Sequence, residues 1–301
     1  MKIVIAGGTG FVGNALTAEL LRQKHEVYIL TRHAHSSPKN QNIHYVQWLN
    51  EGDRPENQLQ NIDVFINLAG ESLSSGRWTT ARKKSLLESR LTSTKELIRI
   101  ISSSDKKPKL VLSASAIGYY GTSRAETFTE RSIKYPSDFL SAVTDQWEKT
   151  AKQLENEGTR TLYMRFGVIL GKDGGALTRM VLPYRLFAGG TIGSGKQVLS
   201  WIHLHDVVRA ILFCMDNDRV NGAVNFTAPH PMDMKSFGKE IGRTLKKPHW
   251  LPVPSFALKI LLGEMSILVL EGQRVLPKKL VDYGFEFTYP KLDAALQDII
   301  N

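Results

Sequence analysis

The turn Gly7-Gly8-Thr9-Gly10-Phe11-Val12-Gly13 stands between an unbroken apolar run, Ile3-Val4-Ile5-Ala6, and a stretch over residues 14–23 with the apolar spacing of a helix. Gly7, Gly10 and Gly13 recur every third residue. A side chain at these positions would keep the backbone from a bound pyrophosphate or the helix from the sheet. The start of that helix also offers unpaired N–H groups and the positive end of its dipole to phosphate. Strand, glycine turn and helix in that order predict a parallel α/β sheet with a dinucleotide at the carboxyl ends of its strands.

The rest of the chain continues the alternation. Apolar runs at residues 26–30, 64–70, 110–113 and 162–165 read as further strands, separated by helical stretches at 83–101 and 140–155. Strands alternating with helices imply right-handed crossovers and a doubly wound parallel sheet, the Rossmann arrangement. Beyond Pro229 the chain turns to proline-bounded helices at 234–245 and 255–262, a smaller, mainly helical C-terminal lobe. The expected division is a dinucleotide-binding domain over 1–228 and a substrate or capping lobe over 229–301, with 172–199 contributing to the substrate cleft. The glycine-rich segment Gly189-Gly190-Thr191-Ile192-Gly193-Ser194-Gly195-Lys196-Gln197 reads as a pocket loop or a plain connector; it lacks the spacing of a P-loop.

Composition removes several classes. A chain of 301 residues, 42% hydrophobic and 23% charged, can bury a large core. One cysteine, Cys214, in an apolar run, excludes an intrachain disulfide framework and fits a reducing compartment, so a cytoplasmic location is expected. No uncharged apolar run is long enough to cross a bilayer, and no membrane partner is expected. The 39 Lys+Arg against 29 Asp+Glu give a net charge of +10, but the cations form short scattered clusters without interleaved aromatics, so phosphorylated small molecules are better candidates than nucleic acid.

The end of the second expected strand bears on which dinucleotide binds. A site for NAD usually puts an acid on the ribose there, whereas this chain has Thr31-Arg32. An arginine can pair with a 2′-phosphate that an acid would repel, which favours NADP; the bland alternative is a solvated surface arginine.

With GGTGFVG, NLAGE, SASAIGYYG and SWIHLHDVVRAI in place, the chain resembles the extended or atypical short-chain dehydrogenase/reductases, the group that includes nucleotide-sugar epimerases. Arg77-Trp78, Ser89-Arg90, Trp147-Glu148, RFGVILGKDGGAL, GGTIGSGKQVLSWIH and LEGQRVLPKKLVDYGFEF narrow the resemblance to the "epimerase family" of NADP-binding proteins with a small C-terminal domain. The resemblance implies that Gly7, Gly10, Phe11, Val12 and Gly13 face the pyrophosphate and that Thr31 and Arg32 face the 2′-phosphate. It also puts Leu68, Ala69 and Gly70 on the ribose and adenine side, and makes Arg90 and, less directly, Ser85 cofactor contacts. NADP(H) and a small-molecule substrate are the expected partners, with the oligomeric state open.

Enzymes of that group pair a serine at the end of the fourth strand with a tyrosine in Tyr-x-x-x-Lys, whose pKa the lysine lowers. Ser115 matches the serine. Alignment on Glu148 puts Leu140 and Thr144 at the dyad, and none of the nine tyrosines has a lysine four residues on. Tyr119 and Tyr120 follow Ser115, and Tyr120 is the candidate proton carrier; the alternative is that both rings only pack. An unperturbed tyrosine titrates near pH 10, about a thousandth ionised at neutral pH, so it would need an activator. His203 and His205 make no metal case without a third ligand, Asp206 reads as a helix N-cap, and Glu71, Glu126 and Glu130 are possible acids near the carboxyl ends of the strands. Two functions follow: an NADP(H)-dependent oxidoreductase or epimerase-like enzyme, or a catalytically silent NADP(H) sensor. An open pocket beside the nicotinamide favours the first, and a pocket filled by its own side chains favours the second.

Overall fold

The computed structural model describes residues 1–33 and 40–300. Seven strands, β1 (Lys2–Ala6), β2 (Glu26–Thr31), β3 (Ile43–Gln47), β4 (Val64–Asn67), β5 (Leu110–Ala116), β6 (Arg160–Phe166) and β7 (Gly222–Phe226), make the main sheet. They lie in the order β3-β2-β1-β4-β5-β6-β7, and every neighbouring pair is parallel. The order reverses between β1 and β4, where a crevice must open beyond the strand ends.

The helices are α1 (Phe11–Arg22), α2 (Thr80–Ser102), α3 (Phe139–Ala151), α4 (Leu177–Arg185), α5 (Leu204–Asp216), α6 (Met234–Leu245), α7 (Ser255–Leu262) and a C-terminal helix, Leu292–Ile300, with two shorter ones between them. Successive residues of β1 point to opposite faces: Ile3 and Ile5 join a core with Leu16, Leu20 and Ile211 of α1 and α5, and Val4 and Ala6 join one with Leu97, Ile100 and Ile101 of α2. Burial on both faces is why this strand reads as a continuous apolar run rather than an alternation.

The two strands without a sequence signal, β3 and β7, are the edges of the sheet. The expected helix over 140–155 ends earlier, at Ala151, and continues as a tighter 3₁₀ turn, Lys152–Glu157.

The second lobe has a core of its own, built from Leu170, Leu177 and Trp201 together with Phe237, Ile241 and Leu296. It therefore takes residues from both sides of the expected boundary at 228/229. A short parallel pair, Thr127–Phe128 with Arg274–Val275, stitches the tail to the first lobe. Asp206 also fastens it: fully buried, it accepts the backbone N–H groups of Thr288 and Tyr289, both at 2.8 Å. The N-cap expected of Asp206 is instead His203, whose Nδ1 accepts the His205 N–H at 3.0 Å. None of the helices among the described residues is long and apolar enough to cross a membrane.

Candidate functional site

At the end of β1, Gly7 adopts φ +80°, and a Cβ there would meet the Leu68 carbonyl at 2.8 Å. A Cβ on Gly13 would lie 2.2 Å from the Gly7 oxygen, so α1 approaches the turn closely only because Gly13 has no side chain. Gly10 caps α1 without a side-chain hydrogen bond, and the first turn holds no acid. The first N–H groups of α1 are thus left for an anion. The Phe11 ring is not free to reach one: it lies against Gly171, Gly174 and Gly175, where an added Cβ would meet it at 2.7 to 3.2 Å. Phe11 can serve a phosphate through its backbone N–H.

Two hollows meet at this turn. One, of about 630 Å³, runs past Thr31, Arg32, Leu68, Ala69, Gly70 and Ser85, and the Asn50 amide holds the Arg32 carbonyl at 3.1 Å. The Asn67 side chain shapes the bend after β4, donating to Thr94 (3.1 Å) and accepting the Ala69 N–H (3.1 Å). Ser85 lines this hollow but donates its proton to Glu71 (2.8 Å), which also pairs with Arg82.

The other hollow, of about 590 Å³, is lined by Gly10, Val12, Gly13, Arg90 and Ser115 and, from the C-terminal part of the chain, by Leu268. Arg90 donates to the carbonyls of Leu86 (2.7 Å) and Glu71 (3.0 Å) and lies over the Trp147 ring. Burial pushes its pKa down to about 10. The Glu71 carboxylate offsets part of that burial, and an incoming anion would relieve more of the cost of the buried charge.

The far wall is set by strand register. Ser115 of β5 stands opposite Arg165 of β6, which stands opposite Asn225 of β7, so the three side chains leave the sheet on one face. α3 lies across that row, started by a capping box between Asp138 and Ser141. Leu140, Thr144 and Glu148 follow at four-residue spacing along one side of α3, and Leu140 and Thr144, where the resemblance would put the dyad, line the hollow. Glu148 accepts the Ser115 hydroxyl at 2.6 Å and two bonds from Arg165, both 2.7 Å.

Arg165 also donates to the Tyr120 oxygen at 2.9 Å, and Tyr120 donates to Asn225 at 2.7 Å. Its ring stacks on Phe128. Burial pushes the Tyr120 pKa up to about 12, against the pull of Arg165. Tyr119 lies under the Arg165 guanidinium, 3.5 Å from it to the ring centroid. Neither tyrosine lines the hollow. Tyr120, expected from the sequence to carry a proton to substrate, has its hydroxyl buried and bonded to both Arg165 and Asn225.

Other expected residues take structural places. Glu126 pairs with Lys134 at 2.6 Å, and Glu130 accepts the backbone N–H groups of Asn225 and Lys279 at 3.1 Å. Of residues 172–199, only Val198 and Leu199 reach the inter-lobe hollow; the glycine segment packs on 247–253 instead, with Gly193 N–H bonded to the Val253 carbonyl at 2.9 Å. No cluster of His, Cys, Asp or Glu able to hold a metal occurs among the described residues. Sequence reasoning gave Glu148 and Arg165 no chemical part. Charged residues in an amphipathic helix and in a buried strand are a pairing signal, but their partner is visible only in three dimensions.

A family model described as the NAD dependent epimerase/dehydratase family matches residues 3–226, and a domain of unknown function, DUF1731, matches 253–299. The chain is 51% identical over 300 residues to epimerase family protein YfhF of Bacillus subtilis, covering 100% of this chain and 98% of that one. It is 45% identical over 301 residues to epimerase family protein SAR0825 of Staphylococcus aureus, covering 100% and 99%. The crystal structure of human epimerase family protein SDR39U1 (isoform 2) with NADPH superposes with a TM-score of 0.89 at 32% identity, covering 99% of both chains.

Proposed function

The chain belongs to the NAD dependent epimerase/dehydratase family, and from that premise we propose that it is an NADP(H)-dependent oxidoreductase or epimerase-like enzyme acting on a small molecule between its lobes. The side-chain-free cradle at Gly7 and Gly13, the open start of α1 and the buried guanidinium of Arg90 fit a pyrophosphate. The human relative's NADPH and the place of Arg32 at the end of the adenosine hollow support NADP over NAD. Gly7, Gly10, Phe11, Val12 and Gly13 hold the pyrophosphate, Thr31 and Arg32 the 2′-phosphate, and Leu68, Ala69, Gly70, Ser85 and Arg90 flank the rest. The nicotinamide, when bound, supplies or accepts hydride.

The single observation that carries the reading is the bond from Ser115 to Glu148. Because its proton points to the carboxylate, Ser115 offers lone pairs to the hollow. It can accept a substrate hydroxyl and take that proton while its own moves to Glu148 Oε1. Arg165 bonds both Glu148 oxygens and so fixes that side chain against Ser115. The pair stands in for the absent Tyr-x-x-x-Lys, and in the reverse direction Ser115 donates to a carbonyl oxygen.

A panel of carbonyl compounds with NADPH, and of alcohols with NADP, tests this. Turnover should fall about a hundredfold or more in Ser115→Ala and Glu148→Gln, consistent with loss of a proton-transfer group. NADPH binding, followed by its fluorescence, should stay within about twofold, since neither side chain touches a phosphate. Silence across both panels with tight NADPH binding would favour the second reading, an NADP(H) sensor, which the missing dyad supports. The open hollow of about 590 Å³ is the observation that favours the enzyme.

A further inference from the structure

Helix α7 has the sequence SFALKILL and not one buried residue. Phe256, Ile260 and Leu261 are 67%, 72% and 64% exposed, as are Trp250 (66%) and, just after α4, Leu186 (69%) and Phe187 (56%). Two chain segments that meet at Gly189 carry these residues. Trp250 Nε1 donates to the Phe187 carbonyl at 2.9 Å, the Trp250 and Leu251 N–H groups bond to Gly189, and Pro254 leads directly into α7. Patches of this kind on a monomer mark an interaction surface.

Charge decides what covers it. Residues 177–192 and 246–262, which carry the patch, contain Arg179, Arg185, Lys246, Lys247 and Lys259 and no Asp or Glu. The Lys247 ammonium lies over the Phe187 ring, 3.6 Å from its centroid, so a cation sits directly among the exposed apolar side chains. A second copy of the chain would bring cations against cations. An anionic bilayer offers acyl chains to the aromatics and negative headgroups to the cations.

We propose that this face docks the protein on an anionic lipid surface, with the mouth of the inter-lobe hollow beside the bilayer. Arg77 donates to the carbonyls of Ile260 (2.7 Å) and Leu261 (2.8 Å) at the end of α7, and Arg179 donates to that of Ser74 at 3.0 Å. The loop they hold supplies Ser72 and Leu73 to the hollow, and Leu268, just beyond α7, lines it too. The docking face therefore adjoins one wall of the hollow. A membrane partner is not legible in the sequence, because the patch joins two short segments, neither of them a span.

The test is co-sedimentation of the full chain with vesicles of phosphatidylcholine alone and with phosphatidylglycerol added. Binding to the anionic vesicles should exceed that to neutral ones by about tenfold and weaken with salt. The four other tryptophans are buried, so a blue shift of intrinsic fluorescence on binding reports Trp250. Ile260→Glu and the pair Lys246→Glu/Lys247→Glu should each reduce binding about tenfold or more. NADPH fluorescence titration checks that both variants are folded. Equal binding to both vesicles, no binding to either, or binding unchanged in the variants would overturn the proposal. So would a concentration-dependent dimer, seen by sedimentation velocity and dissociated by Ile260→Glu, because it assigns the face to a second copy.

Discussion

Ser115 and Arg165 stand opposite each other in the register of β5 and β6 and are joined through one carboxylate, that of Glu148. The Arg165 and Glu148 side chains are 5% and 11% exposed, so neither charge has water to fall back on. Arg165→Met should cost about 3–5 kcal/mol in urea unfolding, because it strands a buried carboxylate rather than merely removing a contact. Arg165→Lys should cost less but still weaken the Ser115 site, since an ammonium cannot make the paired bonds.

Arg32→Ala should weaken NADPH binding about ten- to hundredfold, the worth of charge-assisted hydrogen bonds to a phosphate, and leave NADH nearly unchanged. Fluorescence titration of both dinucleotides separates the outcomes; equal losses would remove the argument for NADP.

Gly13→Ala and Gly174→Ala distinguish the two ways glycines serve the α1 start. At Gly13 the new methyl meets backbone, the Gly7 oxygen at 2.2 Å, and nothing there can yield; at Gly174 it meets a side chain, the Phe11 ring, at 2.7 Å. Gly13→Ala should abolish dinucleotide binding. Gly174→Ala should cost about 1–3 kcal/mol of stability as overpacking and weaken binding only in part. Paired thermal melts and NADPH titrations read both effects.

Acid stability should depend on the Glu56–Arg99 pair. Hydrogen bonds from the Arg99 guanidinium at 2.8 and 2.9 Å hold the Glu56 carboxyl at about 2, below its usual 4.5. A carboxyl whose folded pKa is depressed stabilises the fold above its unfolded value and loses that contribution as pH falls toward the folded one. Melting temperatures taken between about pH 5 and 2 should therefore fall less steeply in Glu56→Gln than in the parent. The partly exposed setting limits the effect to about 1 kcal/mol.

The central strands, the glycine turn and most helices were legible in the sequence because burial on both faces leaves an unbroken apolar run. The edge strands were not. β3 exposes Gln47 and half-exposes His44, and β7 opens with a glycine and carries Asn225, so neither shows a sheet pattern locally. The cofactor turn could be read for the same reason that it works: its glycines answer to their immediate neighbours. The place of Tyr120 was not legible because the 3₁₀ segment Ile117–Tyr120 carries its hydroxyl to Arg165 and Asn225, partners that lie 45 and 105 residues away.

By itself, the sequence determined the doubly wound α/β fold, the glycine cradle, the serine at the end of β5 and the absence of Tyr-x-x-x-Lys, all of which depend on residue order and short spacing. Tertiary structure alone decided what Ser115 touches. Glu148 reaches it across 33 residues, and Arg165 arrives by strand register. Hydrogen bonds and ion pairs act over about 3 Å in space and carry no mark in the chain of which partner they will find.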